Sequence, residues 1–283
     1  MATINASDVK KLRDKTGAGI VDCKNALTKA NGDFDAAERI LKEMGLAAVA
    51  KRAGRIAEEG RAFTYIGGSA AGIMELSCET DFVARNEDFI AKGSSMIKDA
   101  VEHNKTIDDA DLQGVTTGLA TTIKENIQLR RLEILPVAQN ELAVDYIHGE
   151  SGKVGVLIKL QLGSDQLKTN PKVLEFAKDL SLHAAAFSPA YLNESAVPQS
   201  YLQEQESIFK AQAAKMDKPE NVLQGIVKGK VAKHLKEICF SDQPFVKDEK
   251  RSVSQVAKDL SKEVGGVVEL VAYRVYRAGE ELA

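Results

Sequence analysis

The sequence predicts an α+β fold in which helices come first and two mixed units follow. Apolar residues recur at helical spacing over positions 1–45, whereas apolar and polar residues alternate from position 61 onward. A hairpin pattern, helical segments and a closing strand then occur twice in the same order. The chain has 283 residues, of which 44% are hydrophobic and 28% are charged, so it is long enough for about two domains with a buried core.

The N-terminal segment predicts three short helices. Asn5 or Ser7 is suited to cap the first helix, and Asp33 is suited to cap the third. The apolar stripe of the third helix stops at Gly45, where we expect the helix to end. Three helices in so short a segment bury little apolar surface, and such modules usually bind another molecule. The Ala-rich, charged segment 46–60 predicts a short helix followed by a linker.

The first mixed unit begins with a predicted β-hairpin. Its strands are expected at 61–67 and 72–78 and are joined by Gly-Ser-Ala-Ala. Asn86 is suited to cap the helix that follows. A second helix around 115–127 and a strand at 129–136 complete the unit.

The second mixed unit repeats this order with negligible sequence identity to the first. Its hairpin strands are predicted at 142–148 and 153–162, its helix at 171–187 and its last strand at 267–276. The repeat is therefore one of architecture.

An insertion interrupts the second unit. It consists of two helical patterns, 198–215 and 219–238, broken near Lys218-Pro219. Both patterns carry few apolar residues, which predicts an antiparallel helical hairpin, a short coiled coil, that projects from the body of the protein.

Composition argues against several classes of protein. A net charge of −3 gives no general affinity for nucleic-acid backbones, which need clustered Lys and Arg. Three widely spaced cysteines without a CxxC pair indicate a reducing compartment and no zinc ribbon. The polar N-terminus has no apolar leader pattern, and no stretch approaches the roughly 18 apolar residues of a membrane helix. We expect a cytoplasmic protein without a membrane partner.

The motifs of common enzymes are missing from the sequence. No GxxxxGK[ST] loop, GxGxxG fingerprint or GxSxG elbow is present. The four histidines are isolated from one another and from other metal ligands: His103, His148, His183 and His234. We therefore expect no enzymatic activity, no metal site and no cofactor.

Phe82 stands out because it lies at a polar junction between a strand and a helix, beside Asp81. A large apolar side chain in this position either folds back into the core or is presented to a partner. From the residues alone, the core is the favoured interpretation.

Two long stretches change that balance. Residues 12–27 (LRDKTGAGIVDCKNAL) and 75–85 (ELSCETDFVAR) strongly resemble the two signatures of the bacterial elongation factor Ts family. Further stretches agree in order along nearly the whole chain: ENIQLRR (125–131), HGESGKVGVLIK (148–159), HAAAFSP (183–189) and QPFV (243–246).

The resemblance implies a specific architecture. It consists of an N-terminal three-helix module similar to ubiquitin-associated domains, two similar α+β subdomains and an inserted helical hairpin. The corresponding boundaries in this chain are 1–54 for the module with its linker, 55–140 for the first subdomain, 141–190 with 240–283 for the second, and 191–239 for the hairpin.

The resemblance also implies a function, exchange of GDP for GTP on the GTPase elongation factor Tu. In the family, the segment matched here by Thr80, Asp81, Phe82 and Val83 enters the GTPase domain. The aromatic side chain wedges between two helices near switch II, the groups that hold Mg²⁺ are displaced, and GDP is loosened. The implied partner forms are the GDP-bound and nucleotide-free states of elongation factor Tu.

Three further positions match partner contacts of the family: Lys24, Ile123 and His148. Two departures from the family pattern lie nearby. Lys124 stands where the family often has glycine, and Ser77 replaces a common asparagine on the predicted strand.

Other interpretations of the function stay open on the sequence alone. The first three helices alone suit a ubiquitin-associated-type adaptor, and the basic segment KGKVAKHLK (228–236) suits an RNA-binding component of translation. A nucleotide-handling enzyme is disfavoured by the missing phosphate loop. The inserted hairpin is compatible with a homodimer, with a contact to the GTPase or with a contact to tRNA.

Overall fold

The computed structural model describes residues 4–216 and 219–282, and its fold is the predicted mixture of helices and antiparallel sheets. It opens with three helices: α1 (Ala6–Thr16), α2 (Ile20–Lys29) and α3 (Phe34–Arg52). The predicted caps are confirmed, because the side chain of Asn5 accepts a hydrogen bond from Asp8 N–H and that of Asp33 accepts one from Ala36 N–H.

The predicted end of α3 at Gly45 is wrong, because the helix continues without a break to Arg52. Gly45 is buried against helix α6 (Ala110–Ile123), and a Cβ atom at this position would lie 2.7 Å from Thr121 Cγ2. The glycine therefore allows close approach of two helices and does not end one. The guanidinium of Arg52, at the end of α3, donates a hydrogen bond to Ala120 O of α6 at 2.9 Å.

The first mixed unit is a three-stranded antiparallel sheet with helices on one face. The sheet has the order β1-β2-β3. Its elements are β1 (Glu59–Ile66), β2 (Ala70–Cys78), α4 (Asp81–Ala84), α5 (Glu87–His103), α6 (Ala110–Ile123) and β3 (Gln128–Pro136). Helix α6 begins earlier than the pattern predicted because Asp109 caps it.

The second mixed unit has the same plan. Its sheet has the order β4-β5-β8 and packs on helices α7 and α10. Its elements are β4 (Glu141–His148), β5 (Val154–Leu162), α7 (Pro171–Phe187), α10 (Val253–Val264) and β8 (Val268–Arg277). Helix α10 and the short hairpin before it, β6 (Pro244–Phe245) with β7 (Asp248–Ser252), were not predicted.

The two sheets face each other. Successive side chains along each central strand alternate between the helix-covered face of its sheet and the face that meets the other sheet. Met74, Leu76 and Cys78 of β2 pack with the α5 side, whereas Ala71 and Ile73 pack toward the other sheet. Strand β5 divides in the same way: Val156, Ile158 and Leu160 meet α7 and α10, and Leu157 faces β2.

Both sheets carry a β-bulge at corresponding places. In the first sheet the register shifts between Glu75 and Leu76, leaving Arg130 of β3 as the extra residue. In the second sheet it shifts between Lys159 and Leu160, leaving Val271 of β8 as the extra residue. Glu75 and Lys159 are each the sixth residue of a nine-residue central strand.

The insertion forms two antiparallel helices, α8 (Gln199–Ala213) and α9 (Glu220–Ile238). Tyr201 OH hydrogen-bonds to His234 Nε2 at 2.8 Å, and Lys230 Nζ donates to Gln212 Oε1 at 2.7 Å. The predicted break near Lys218-Pro219 lies partly outside the described residues. The division of the chain into domains at the boundaries given above stays a prediction.

Candidate functional site

The segment Glu79–Val83 forms a short, sharply turned tip at the end of β2; we call it the tip. The side chain of Thr80 caps the single turn of α4 by accepting a hydrogen bond from Val83 N–H at 3.4 Å. Phe82 is 83% exposed. Its assignment to the core from the residues alone is therefore wrong. Val83 and Ala84 occupy the inward positions of the turn and pack on the core, which leaves Phe82 pointing to solvent.

Two carboxylates hold the tip in place. Glu125, in the loop between α6 and β3, accepts hydrogen bonds from Glu79 N–H at 2.9 Å, Thr80 N–H at 3.1 Å and the Thr80 hydroxyl at 2.7 Å. In return the carboxylate of Glu79 accepts the N–H of Asn126 at 2.7 Å. We call this reciprocal arrangement the Glu79–Glu125 clasp.

The helix that follows fixes the other end of the tip. As predicted, Asn86 caps α5 by accepting a hydrogen bond from Phe89 N–H at 3.1 Å, and Phe89 is fully buried. Asp81 lies at the surface and forms an ion pair with Arg85 at 3.2 Å. Such an exposed pair contributes little to stability, so Asp81 is free to change partners.

Cys78 is buried beneath α5, and its thiol donates a hydrogen bond to Thr80 O of the tip at 3.2 Å. Burial, with the nearby negative charge of Glu125, raises the pKa of this thiol to about 12. A thiol with so high a pKa is a poor nucleophile at neutral pH. The residue serves as a small buried side chain at the end of the strand, where it contacts the backbone of the tip.

Lys24 is exposed on α2, one helical turn after two exposed apolar side chains. Ile20 is 58% exposed and Val21 is 68% exposed. An exposed apolar pair beside a lysine is a feature of a contact surface.

Ile123, the last residue of α6, packs against the same hydrophobic cluster as Val83. The following residue, Lys124, adopts a left-handed backbone conformation with φ +66°. Its ammonium group lies 3.9 Å from the carboxylate of Asp22 on α2. These contacts place α2, the end of α6 and the tip next to one another.

His148 ends strand β4 and is exposed, with Nδ1 2.8 Å from the hydroxyl oxygen of Tyr146. The turn after it lies on β1, where Arg61 donates a hydrogen bond to Glu150 O at 2.9 Å. Strand β1 links this turn to β2, since Arg61 of β1 contacts the turn and Glu59 at the start of β1 pairs with Cys78. The structure thus places Ile123 in the hydrophobic cluster against which Val83 of the tip packs, whereas His148 lies on the other sheet.

Ser77 lies on β2, as predicted for this departure from the family pattern, and it is buried. Its hydroxyl has no hydrogen-bond partner within the part of the chain that the structure describes.

Sequence reasoning missed Glu125 and Asn126 as residues that hold the tip. Both belong to the ENIQLRR stretch. The Glu125 carboxylate and the Asn126 backbone N–H contact tip residues that are more than 40 positions away in the sequence. The available signal was a pair of polar residues just after the end of α6, but this signal does not indicate which segment the pair contacts.

The described residues contain no cluster of three or more His, Cys, Asp or Glu side chains placed to hold a metal ion. Across residues 4–216 and 219–282, no helix combines the length and apolar character needed to cross a membrane.

Comparison with known proteins gives a consistent result. The family model described as Elongation factor TS matches residues 79–280, a span that contains the tip, the clasp, strand β3 and the whole second sheet.

Similar proteins cover almost the whole chain and carry the name Elongation factor Ts. The protein from Treponema denticola is 46% identical over 276 residues, covering 98% of each chain. The protein from Borreliella burgdorferi (strain ATCC 35210) is 45% identical over 280 residues, covering 99% of this chain and all of that protein. The protein from Borrelia recurrentis is 44% identical over 277 residues, covering 98% of this chain and all of that protein. With a family model matched over most of the chain and relatives matched from end to end, the chain belongs to the elongation factor Ts family.

Proposed function

We propose that this protein is a translation elongation factor that binds elongation factor Tu in its GDP-bound form and promotes exchange of GDP for GTP. The observation that carries the proposal is Phe82, a large aromatic side chain exposed on a tip whose backbone is held by the core. A soluble surface gains nothing from exposing such a group, whereas an interface uses it as an anchor.

The proposed role of the tip is to displace groups of the partner, without making or breaking bonds. Mg²⁺ neutralises phosphate charge and bridges the nucleotide to protein oxygens. Insertion of Phe82 between helices of the GTPase would move the groups that hold the ion and so weaken GDP binding without touching the nucleotide. Thr80 fixes the turn, Val83 anchors it to the core, and Asp81 is available for a polar contact.

Binding linkage constrains the cycle. If this protein weakens GDP binding, GDP must weaken the binding of this protein by the same factor. Exchange then proceeds by substitution through a nucleotide-free complex, which GTP completes. The chain contributes differential contacts and no bond chemistry of its own, so the proposal requires neither a catalytic residue nor a cofactor.

The remaining contacts extend this surface. Lys24, with Ile20 and Val21, offers a mixed apolar and basic patch on the N-terminal module. Ile123 packs against the same hydrophobic cluster as Val83 of the tip, and His148 lies at the end of β4 in the second sheet. A cytoplasmic location follows from the proposed partner. Roles of the α8–α9 hairpin in a homodimer or in contact with tRNA stay predictions, as does an adaptor function without exchange.

The test uses elongation factor Tu loaded with a fluorescent GDP analogue. Substoichiometric amounts of this protein should accelerate release of the analogue by orders of magnitude. An unchanged release rate would remove the proposal.

Phe82→Ala should lower the maximal exchange rate roughly 30-fold, the effect of losing about 2 kcal/mol at a central aromatic anchor. Circular dichroism and the thermal midpoint should stay those of the unaltered protein, because the side chain is exposed. Val267→Ala, which truncates a 51% exposed apolar side chain at the second sheet, is the matched control and should leave the rate unchanged. Loss of the fold in Phe82→Ala would contradict the assigned role.

A further inference from the structure

We propose that Glu125 is a positioning residue that holds the tip, and with it Phe82, in the conformation that the partner requires. The inference rests on the proposed function for its consequence in exchange, but its structural part concerns the free protein alone.

The hydrogen bonds of the clasp are concentrated on the tip. Glu125 Oε2 accepts both Glu79 N–H and Thr80 N–H, and Oε1 accepts the Thr80 hydroxyl. Thr80 is the cap of α4, so the carboxylate acts on the residue that starts the turn carrying Phe82. Bonds from N–H groups to a charged carboxylate are stronger than those between neutral groups.

The tip needs such support because α4 cannot hold itself. A helix of four residues, Asp81–Ala84, forms a single turn, and a single turn is unfavourable in isolation since it fixes several backbone angles for one hydrogen bond. The exposed side chain of Phe82 makes no compensating contribution. The order of the turn therefore comes from the core packing of Val83 and Ala84 together with its flanks, namely the clasp on one side and the Asn86 cap on the other.

The clasp also ties the tip to the linker. Asn126 Nδ2 donates hydrogen bonds to Arg55 O at 2.7 Å and to Ala53 O at 3.3 Å, and Arg55 forms an ion pair with Glu79 at 3.3 Å. The loop containing Glu125 and Asn126 thus meets both the tip and the segment that leads from the N-terminal module.

Loss of a positioning residue and loss of the wedge residue Phe82 should change different kinetic quantities. When only a fraction of molecules hold the tip ready, the apparent affinity falls by that fraction, whereas the bound complex still exchanges at its full rate. Glu125→Ala should therefore raise the concentration of this protein that gives half-maximal exchange about tenfold, with a plateau within about twofold of the original. Phe82→Ala should do the opposite and lower the plateau.

Conservative replacement gives a rescue test. Glu125→Gln keeps one oxygen to accept the two N–H groups, and its amide can donate to the Thr80 hydroxyl, which accepts as well as donates. Glu125→Gln should therefore behave much more like the unaltered protein than Glu125→Ala does. Glu125→Asp draws the carboxylate back by one methylene and should show the defect of Glu125→Ala to a smaller degree. This variant replaces Glu125→Ala in the test if the alanine variant does not fold.

A second readout needs no partner. The sequence contains no tryptophan, so Phe82→Trp introduces a single fluorescent probe at the tip. Its steady-state anisotropy should fall when Glu125→Ala is added. Glu102→Ala is the matched control, because Glu102 accepts a hydrogen bond from Tyr65 OH in the same unit but does not touch the tip. It should change neither the anisotropy nor the half-maximal concentration.

The outcomes separate the two proposals. Lower anisotropy with a raised half-maximal concentration and an unchanged plateau supports the positioning role. Unchanged anisotropy overturns it, as does a lower plateau at an unchanged half-maximal concentration. If the unaltered protein accelerates no nucleotide release, the proposed function fails, yet the anisotropy comparison still decides whether Glu125 holds the tip.

Discussion

Lys124 shows how a single residue can carry opposing effects. It adopts the left-handed conformation after α6, φ +66°, where a side chain crowds the backbone and glycine is favoured. Its ammonium group in turn approaches Asp22 of the N-terminal module at 3.9 Å. A long contact between exposed groups is worth little, so the conformational cost should dominate.

We therefore expect Lys124→Gly to raise the free energy of unfolding by about 0.5–1 kcal/mol. Lys124→Ala separates the two effects, since it removes the ion pair and keeps the strained backbone. The alanine variant should be no more stable than the unaltered protein. Urea denaturation of the three proteins measures both changes, and a destabilised glycine variant would show that the Asp22 contact outweighs the strain.

Residue-level prediction succeeded where the chemistry is local. Helix caps at Asn5, Asp33 and Asn86 act on backbone groups three residues away, so a short stretch of sequence contains both partners. The direction of Phe82 and the clasp of Glu125 depend on atoms far along the chain. No pattern within the tip could supply them, and the residues alone favoured the wrong side for Phe82.

At the scale of elements, helix α7 is tied to the β6–β7 hairpin by a buried histidine. His183 Nε2 lies 2.8 Å from Gln243 Oε1, and Nδ1 accepts the N–H of Val246 at 3.2 Å. The ring stacks on Phe240 with centroids 5.1 Å apart. This geometry requires a neutral ring that donates from Nε2 and accepts at Nδ1.

Burial lowers the pKa of His183 in the folded protein, with the Gln243 contact acting in the opposite direction. As pH falls below the ordinary value of about 6.5, the unfolded chain binds the proton first. The stability from neutral His183 is therefore present above about pH 6.5 and is lost as pH falls toward the folded pKa. We expect the free energy of unfolding to decrease from pH 7.5 to 5.5 by up to about 1.4 kcal/mol per pH unit.

The measurement compares urea unfolding of the unaltered protein and His183→Phe at both pH values. The variant should be less stable at pH 7.5 because Val246 N–H loses its acceptor, but its pH dependence should be weaker. Equal pH dependence in the two proteins would assign the effect to other groups.

Element-level prediction was reliable for long periodic segments and failed where a tertiary contact changed the meaning of a residue. Helix α7 has the predicted bounds, with Pro171 at its first turn. Gly45 was interpreted as a helix end, yet α6 packs against it. Strands β6 and β7 are too short to give a pattern, which also hid the start of α10 at Val253.

At the scale of the whole molecule, a buried charge network joins the two sheets and the C-terminal segment. The carboxylate of Glu75, fully buried on β2, is bonded to Arg130 at 2.8 Å and to Arg131 at 2.6 Å. It also accepts Gly279 N–H at 3.0 Å, while Arg131 Nη1 reaches Glu280 Oε1 at 2.7 Å. The Arg131 guanidinium lies 4.0 Å above the ring of Tyr276.

Removing the Glu75 carboxylate leaves the largely buried Arg130 without its carboxylate partner and Arg131 with Glu280 alone. Glu75→Ala should therefore lower the free energy of unfolding by about 3–5 kcal/mol. Glu75→Gln keeps hydrogen-bonding capacity and should cost less. Glu206→Ala, which breaks an exposed pair with Lys210, should stay within about 0.5 kcal/mol of the unaltered protein. Thermal and urea unfolding measure all three, and a mild effect of Glu75→Ala would show that water replaces the carboxylate.

The sequence predicted both mixed units and their order but not how they pack. Alternation marks a strand as having two faces, and in β2 both faces are buried, one by α5 and one by the opposite sheet. Ala62 of the first sheet approaches Gly155 of the second so closely that a Cβ atom added at Gly155 would lie 2.7 Å from Ala62 Cβ. This contact depends on residues in different units. Periodicity within one strand contains no information about that partner.

The paired bulges have a consequence for any redesign of the protein. An extra residue at Arg130 and another at Val271 increase the local twist of each sheet at the corresponding place. A redesign that removes one bulge would change the twist of one sheet but not that of the sheet packed against it. The two halves should therefore be reshaped together, although their sequences share negligible identity.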